Sequence, residues 1–295
     1  GQDQVSTTDP DARSMILHGS VIEVAYNVQT VADSANKLVL EYEVTNQNDR
    51  KALLPMAQKT KSICDTEAVA VLADKGYHNG EQLAACQRED IYTYVAYQEV
   101  PRSNPVPTPE FYGERFRYNP KKDQYVCPQG HILKTTGQWY NKKYEKSVTR
   151  VKHYKTTACN NCEVRHLCTR NPNGRVIERS VHAEAVERNN RRVRENSSVY
   201  TLRQQIIEHI FGTIKRQWGY DHILLKGLRK NEGEFGLIYL IYNFRRVINI
   251  LGLPKLKKWL RKLLFFFFFD RALRNCWQQL NYPGCRFGPI NAQVA

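Results

Sequence analysis

The sequence predicts an α/β protein, on three observations. Residues 26–32 and 37–44 alternate apolar and polar side chains at the two-residue period of a half-buried strand. Residues 68–74 form an unbroken apolar run ending in Asp74, the pattern of a strand buried on both faces. A short helical pattern and another strand pattern follow with brief links, and strand, helix, strand in succession is the repeat of an α/β layer.

Taken in order, residues 1–20 are polar and carry a turn or helix-cap signal at Thr8-Asp-Pro-Asp-Ala-Arg13. The two alternating stretches read as a hairpin closed by Asp33-Ser-Ala-Asn36. Residues 46–65 read as a helix capped by Asn48 or Asp49, with Pro55 disturbing its first turn. Asn79-Gly80 opens a short helix, and residues 91–97 close as a strand. Pro101, Pro105, Pro107 and Pro109 mark a loop, after which a tyrosine- and cysteine-rich stretch runs to about residue 180 without sustained period. Helical periodicity returns over residues 183–219 and 231–251. Beyond Gly252 come five consecutive phenylalanines, Phe265 to Phe269. Such a homopolymer is an exposed-patch hazard, so the chain after about residue 262 reads as a frameshifted or non-native end.

The 295-residue chain carries 44 Lys and Arg against 29 Asp and Glu, a formal net charge of +15, with a pI near 9.4. The excess gathers at residues 142–155, 188–194 and 255–262. Such clusters are the footprint of a polyanion, because each phosphate contact releases counterions. The late apolar stretch 235–253 is interrupted by Asn243, Arg245 and Arg246, which argues for a buried amphipathic helix and against a membrane span. The opening Gly1-Gln-Asp-Gln has neither an initiator methionine nor a signal-peptide pattern, so the chain reads as a fragment or processed piece with a cytoplasmic setting.

Eight cysteines are unevenly placed. Cys127 precedes a Cys159-Asn-Asn-Cys162 pair and Cys168, and two cysteines at that spacing can grip one tetrahedral zinc from a single turn. The expected site is Cys127, Cys159, Cys162 and Cys168, with His131 and His166 as alternative outer ligands; Cys64, Cys86, Cys276 and Cys285 fall outside it.

Asp74 at a strand end and Glu208 on a late helix are the residues from which a two-metal phosphoryl-transfer site is built, since Mg²⁺ takes oxygen ligands. On a regular helix Glu208, Gly212 and Lys215 share one edge, which lets Lys215 reach the phosphate that a Glu208-bound metal holds. A third carboxylate on an earlier strand is not found; Asp33 is the only substitute in the chain worth naming.

These segments together resemble bacterial insertion-sequence transposases of the DDE, ribonuclease-H-like superfamily. The resemblance rests on Thr8 to Arg13, Ala25-Tyr-Asn-Val-Gln29, Ala73-Asp-Lys-Gly-Tyr77, the four spaced cysteines, Glu208-His-Ile-Phe-Gly-Thr-Ile-Lys215 and the segment Ile241 to Gly252, in family order. It implies a ribonuclease-H-like mixed sheet flanked by helices and lacking its first strand, with a Cys-rich zinc-binding insertion. The implied divisions are a linker at 1–20, core at 21–98, insertion at 99–184, core again at 185–252, and a basic, low-complexity tail at 253–295.

Asp74 and Glu208 become the second and third catalytic carboxylates and the Mg²⁺ ligands. Lys215, Arg203, Arg191, Arg192 and Arg194 become DNA contacts, and a homo-oligomer acts on transposon ends in the bacterial nucleoid. The chain departs from the family pattern in three respects. The first catalytic aspartate should precede Gly1, Gln204 stands where an arginine is usual, and Ala25 and Ile210 replace a glycine and a proline. A catalytically dead, DNA-binding remnant and a nuclease without strand transfer are therefore the rival readings. Without a central first strand the chain should be marginally stable, or the strands on either side of the gap should pair with each other.

Overall fold

The computed structural model describes residues 6–16, 22–97, 106–144 and 147–265. It is a mixed α/β structure of small sheets and helices. The chain opens with an antiparallel pair, β1 (Arg13–Ile16) and β2 (Ile22–Ala25), so a strand lies within the stretch read as a linker. The alternating hairpin forms as β3 (Asn27–Ala32) and β4 (Val39–Thr45), with its turn capped by Asp33, which accepts the Ala35 and Asn36 amides. Asp33 is thus a turn residue.

Asn48 caps a short 3₁₀ turn over Asp49–Lys51, and α1 (Leu53–Cys64) starts only after it. Pro55 falls at the third position of that helix, inside the first turn where its missing N–H costs little. Strand β5 (Val69–Ala73) pairs in parallel with β6 (Ile91–Val95) across α2 (Gly80–Arg88), whose N-cap Asn79 accepts two backbone amides. The expectation that β5 is buried on both faces is not met. Only Ala73 is buried and Ala70 is exposed, because β6 is the sole strand beside it.

The expected re-pairing of β3 with β5 does not occur; the two strands stay in separate two-stranded sheets. Helix α1 packs against both ribbons, and polar side chains make the cross-link. The Tyr77 hydroxyl, just past β5, donates to Gln29 Oε1 in β3, and Gln29 Nε2 donates to Asp49 Oδ1 at 2.8 Å. Gln29 is 2% exposed, and its amide is satisfied at both ends.

The Cys-rich stretch is ordered despite its lack of period. A three-stranded sheet, β7 (Arg117–Asn119), β8 (Gln124–Val126) and β9 (Ile132–Lys134), adjoins a second, β10 (Tyr140–Tyr144), β11 (Ser147–Tyr154) and β12 (Ile177–Ser180), through a Lys134–Lys155 bridge. The short helix α3 (Arg165–Cys168) lies between β11 and β12 in sequence. Phe116, Tyr125, Leu133, Tyr154 and Ile177 form the local core.

Three helices complete the fold: α4 (Ala183–Glu195), α5 (Ser197–Phe211) and α6 (Leu228–Leu251). Two buried or half-buried asparagines tie helices to strands. Asn189 of α4 accepts the Val95 amide at 2.9 Å and donates to the Val95 carbonyl at 2.8 Å. Asn243 of α6 does the same for Val39, at 2.8 and 2.7 Å. The Thr8-to-Arg13 motif has a structural role as well. Asp11 accepts the Leu228 amide at 3.0 Å and Asp9 the Gly227 amide at 3.2 Å, so two carboxylates cap the positive end of α6.

Residues 253–265 are helical and carry the 255–262 basic cluster. Of the five phenylalanines only Phe265 is described, and the non-native reading of the tail otherwise lies outside the described residues, as do Cys276 and Cys285. Among the described residues no helix is long and apolar enough to cross a membrane.

Candidate active site and nucleic-acid surface

Asp74 sits where β5 ends, exposed, at the N-cap of a 3₁₀ turn over Lys75–Tyr77. Its Oδ1 accepts the Lys75 amide at 2.6 Å, leaving Oδ2 without a hydrogen bond among the described residues. The same turn sends Tyr77 inward. Burial pushes the Tyr77 hydroxyl far above its ordinary range, the Asp49 and Asp74 charges add to that, and Arg203 opposes it. Two carboxylates and one guanidinium therefore act on a single half-buried phenol. Gly76 lets the turn approach: a β-carbon there would stand 2.8 Å from Asp49 Oδ2.

Asp49 is the member of this cluster that sequence reading placed elsewhere, as a helix cap. Asn27 Nδ2 and Gln29 Nε2 hold its Oδ1 at 2.6 and 2.8 Å. Gln29 and Tyr77 stand inside the motifs that carry the family resemblance, but nothing local marks Asp49, since its partners are about 20 residues away.

Glu208 is exposed on α5, and Gln204 one turn earlier donates to its Oε1 at 2.8 Å. Helix α5 packs along β5, which puts the two carboxylate-bearing elements side by side. Among the described residues, no hydrogen bond joins Asp74 to Glu208, and no three His, Cys, Asp or Glu side chains converge as a metal-binding group. The donor chemistry suits Mg²⁺: both carboxylates face solvent and each keeps one oxygen free of protein partners.

Arg203 departs from the expected free DNA contact. It lies against the Tyr200 ring at 5.6 Å, its Nε is buried without a partner, and its charge reaches Tyr77. The single helix edge expected for Glu208, Gly212 and Lys215 also breaks. Residues Gly212–Gln217 form a π-helical turn, closed by Trp218 N–H to the Thr213 carbonyl at 3.0 Å, and each i→i+5 closure takes up one more residue than an α turn. Lys215 is thereby swung off the α-helical line from Glu208, with its Nζ 5.6 Å from the Phe211 ring.

On α4, Arg191 and Arg194 are exposed and three residues apart, on one face, and neither is in an ion pair among the described residues. Arg192 is different. Its guanidinium lies 5.9 Å from the Tyr92 ring, and burial holds its pKa below the usual value. It lies between α4 and β6, half-buried.

Cys127, Cys159, Cys162 and Cys168 all line one cavity of about 30 Å³, with His131, Arg165 and Arg175. Burial pushes the Cys168 thiol up to about 11; Arg175 opposes this, and the sulfurs of Cys159, Cys127 and Cys162 add to it. The four sulfurs are gathered but not closed to ligand geometry. His166 bonds the Glu163 carbonyl at 3.1 Å and does not line the cavity. The donor set is four soft sulfurs around a space of about one atom, and Arg175 offsets charge on Cys168; this fits zinc.

Residues 126–248 match a family model described as the transposase DDE domain. The match supports a DDE transposase. It spans the four cysteines, Arg191, Arg194, Glu208 and Lys215, and begins downstream of Asp74. No curated protein and no solved structure matches the chain.

Proposed function

We propose that this chain cleaves DNA phosphodiesters at transposon ends and joins the freed 3′ ends to target DNA, as a ribonuclease-H-like enzyme. The observation that carries the reading is the transposase DDE-domain match over residues 126–248, within which Glu208 falls. Asp74, at the end of a strand against which α5 packs, supports it from the unmatched part of the chain.

Asp74 and Glu208 would hold the Mg²⁺ ions. Bound there, the ions supply an activated water or 3′-hydroxyl and neutralise charge on the scissile phosphate. The chain's own residues do the rest. Gln204 fixes one Glu208 oxygen and leaves the other outward. The Lys75 amide does the same for Asp74. The Asp49–Gln29–Tyr77 bridge fixes the turn that carries Asp74, so the carboxylate is positioned before substrate arrives. Arg191, Arg194 and Lys215 offer exposed cations to backbone phosphates, which orient the duplex without reading its sequence. Cys127, Cys159, Cys162 and Cys168 would hold a structural zinc that clamps the two small sheets of the 99–184 insertion. The active species is expected to be a homo-oligomer, because two DNA ends must be held together.

Strand transfer is the step that separates a transposase from a simple nuclease. Incubating the protein with labelled DNA from the flanks of its own gene, a target plasmid and Mg²⁺ or Mn²⁺ should give labelled ends joined to the plasmid. Cleavage without joined product would contradict the proposal.

A further inference from the structure

A second cavity, of about 200 Å³, opens between the end of α5 and the last turns of α6. It lies away from Glu208. His209 is one residue on, about 100° around the helix, and its Nδ1 meets the Tyr242 hydroxyl of α6 at 2.9 Å. That hydroxyl donates its proton to the Lys37 carbonyl at 2.9 Å, so the His209 Nδ1 must carry hydrogen and donate to it. This chain of bonds fixes one wall.

The remaining walls are cationic and rich in unused donors. Arg245 and Arg246 both line the cavity, and neither is in an ion pair among the described residues. Arg246 spends its Nε on the Asn36 carbonyl at 2.7 Å, which holds the guanidinium in place and leaves its terminal nitrogens free. Arg245 has only the Trp218 ring beneath it, at 5.9 Å. The carboxamides of Gln217 and Asn249 also face the space, and neither forms a hydrogen bond among the described residues. No Asp or Glu lines the cavity.

Two unpaired guanidiniums and two idle amides, with no carboxylate to balance them, are the donor set for a tetrahedral oxyanion. The volume decides the class. Sites for drug-sized ligands run to about 300–1,000 Å³, so this one takes a phosphate group and little more. We propose that the Arg245–Arg246 cavity is a phosphate-binding site, separate from the Asp74–Glu208 region and from the exposed arginines of α4. A DNA-backbone phosphodiester and a free phosphate share that chemistry, and the two arms of the test distinguish them.

The test uses the full chain, with inorganic phosphate as the first probe, followed by calorimetry. Arg245→Gln is the informative variant because the Trp218 ring is the one contact of the Arg245 side chain among the described residues, and Asn249→Asp is the second because it adds an opposing charge on an exposed side chain. Wild type should bind phosphate saturably, with affinity at least about tenfold lower in Arg245→Gln, the scale of one lost charged hydrogen bond. Asn249→Asp should abolish it. The second probe is a short DNA duplex titrated at several salt concentrations. A salt slope reduced by about 1 in Arg245→Gln assigns the site to the DNA backbone; an unchanged slope with lost phosphate binding assigns it to free phosphate. Absent phosphate binding in wild type, or equal binding in all three proteins, overturns the site. Because the phosphate arm contains no DNA, such a result leaves the transposase reading standing.

Discussion

Replacing Asn189 by alanine should destabilise the chain severely while leaving its chemistry intact. Asn189 is fully buried, and its carboxamide satisfies both the N–H and the C=O of Val95, at 2.9 and 2.8 Å. Val95 is itself fully buried at the end of β6, so water cannot replace either bond. Each orphaned buried group costs about 1–3 kcal/mol, giving about 2–6 kcal/mol for the pair. A domain of this kind has about 5–15 kcal/mol in all, so a large fraction of the stability hangs on one side chain. Urea unfolding followed by circular dichroism reads the change. Arg191→Ala, two residues along the same helix but exposed, is the control and should stay within about 0.5 kcal/mol of wild type. An Asn189→Ala protein within about 1 kcal/mol of wild type would refute the reasoning, because it would mean that Val95 finds other partners or that β6 is not closed by α4.

The other predictions address the site and its supports. Arg191→Ala with Arg194→Ala should reduce the slope of log affinity against log salt for duplex DNA by about 2, whereas Arg192→Ala should lower stability and barely change that slope. Elemental analysis should find one zinc per chain, lost in Cys162→Ser and retained in Cys64→Ser; a folded, metal-free wild type would remove the zinc assignment. Asp123 is held down to about 2, first by the Lys152 hydrogen bond and then by the Tyr154 and Tyr118 hydroxyls against the opposing effect of burial. Its folded pKa lies below the ordinary 3.8, so the stability it contributes is present above about pH 4 and disappears as pH falls towards 2. Asp123→Asn should flatten that part of the acid-unfolding curve, and an unchanged curve would show that the ion pair is not formed in solution. Removing the α6 cap with Asp11→Ala should cost about 0.5–2 kcal/mol in the same urea assay.

The parts of the fold that the sequence discloses are those whose signals are local. The β3–β4 hairpin shows in its alternation, α2 in its Asn79 cap, and α6 in its apolar period. The Cys-rich stretch hid its six strands because five of them have only three to five residues, too few to show a two-residue period. The π-helical turn after Gly212 left no pattern either, and it undid the alignment of Lys215 with Glu208. Long-range polar ties were the least visible. Asp49 meets Asn27 and Gln29, Asp11 meets α6 from 217 positions away, and Asn189 meets Val95 from 94 positions away. Each such residue looks locally like an ordinary cap or surface amide.

For the catalytic candidates, residue type and family order pointed to Asp74 and Glu208, and the fold places their two elements in contact. Arg203 and Arg192 lie beside tyrosine rings, which a count of basic residues does not disclose.

The central claim is that Asp74 and Glu208 serve one metal-dependent reaction on DNA. The most direct measurement is nicking of a supercoiled plasmid carrying the flanks of the gene, with Mg²⁺ or Mn²⁺, by wild type, Asp74→Asn and Glu208→Gln. The account predicts nicking that requires the metal and falls at least about 100-fold in each variant, the scale of losing one charge-stabilising group, with duplex affinity retained. Metal-dependent nicking that survives both substitutions, or no nicking by wild type on DNA that it binds, would contradict it.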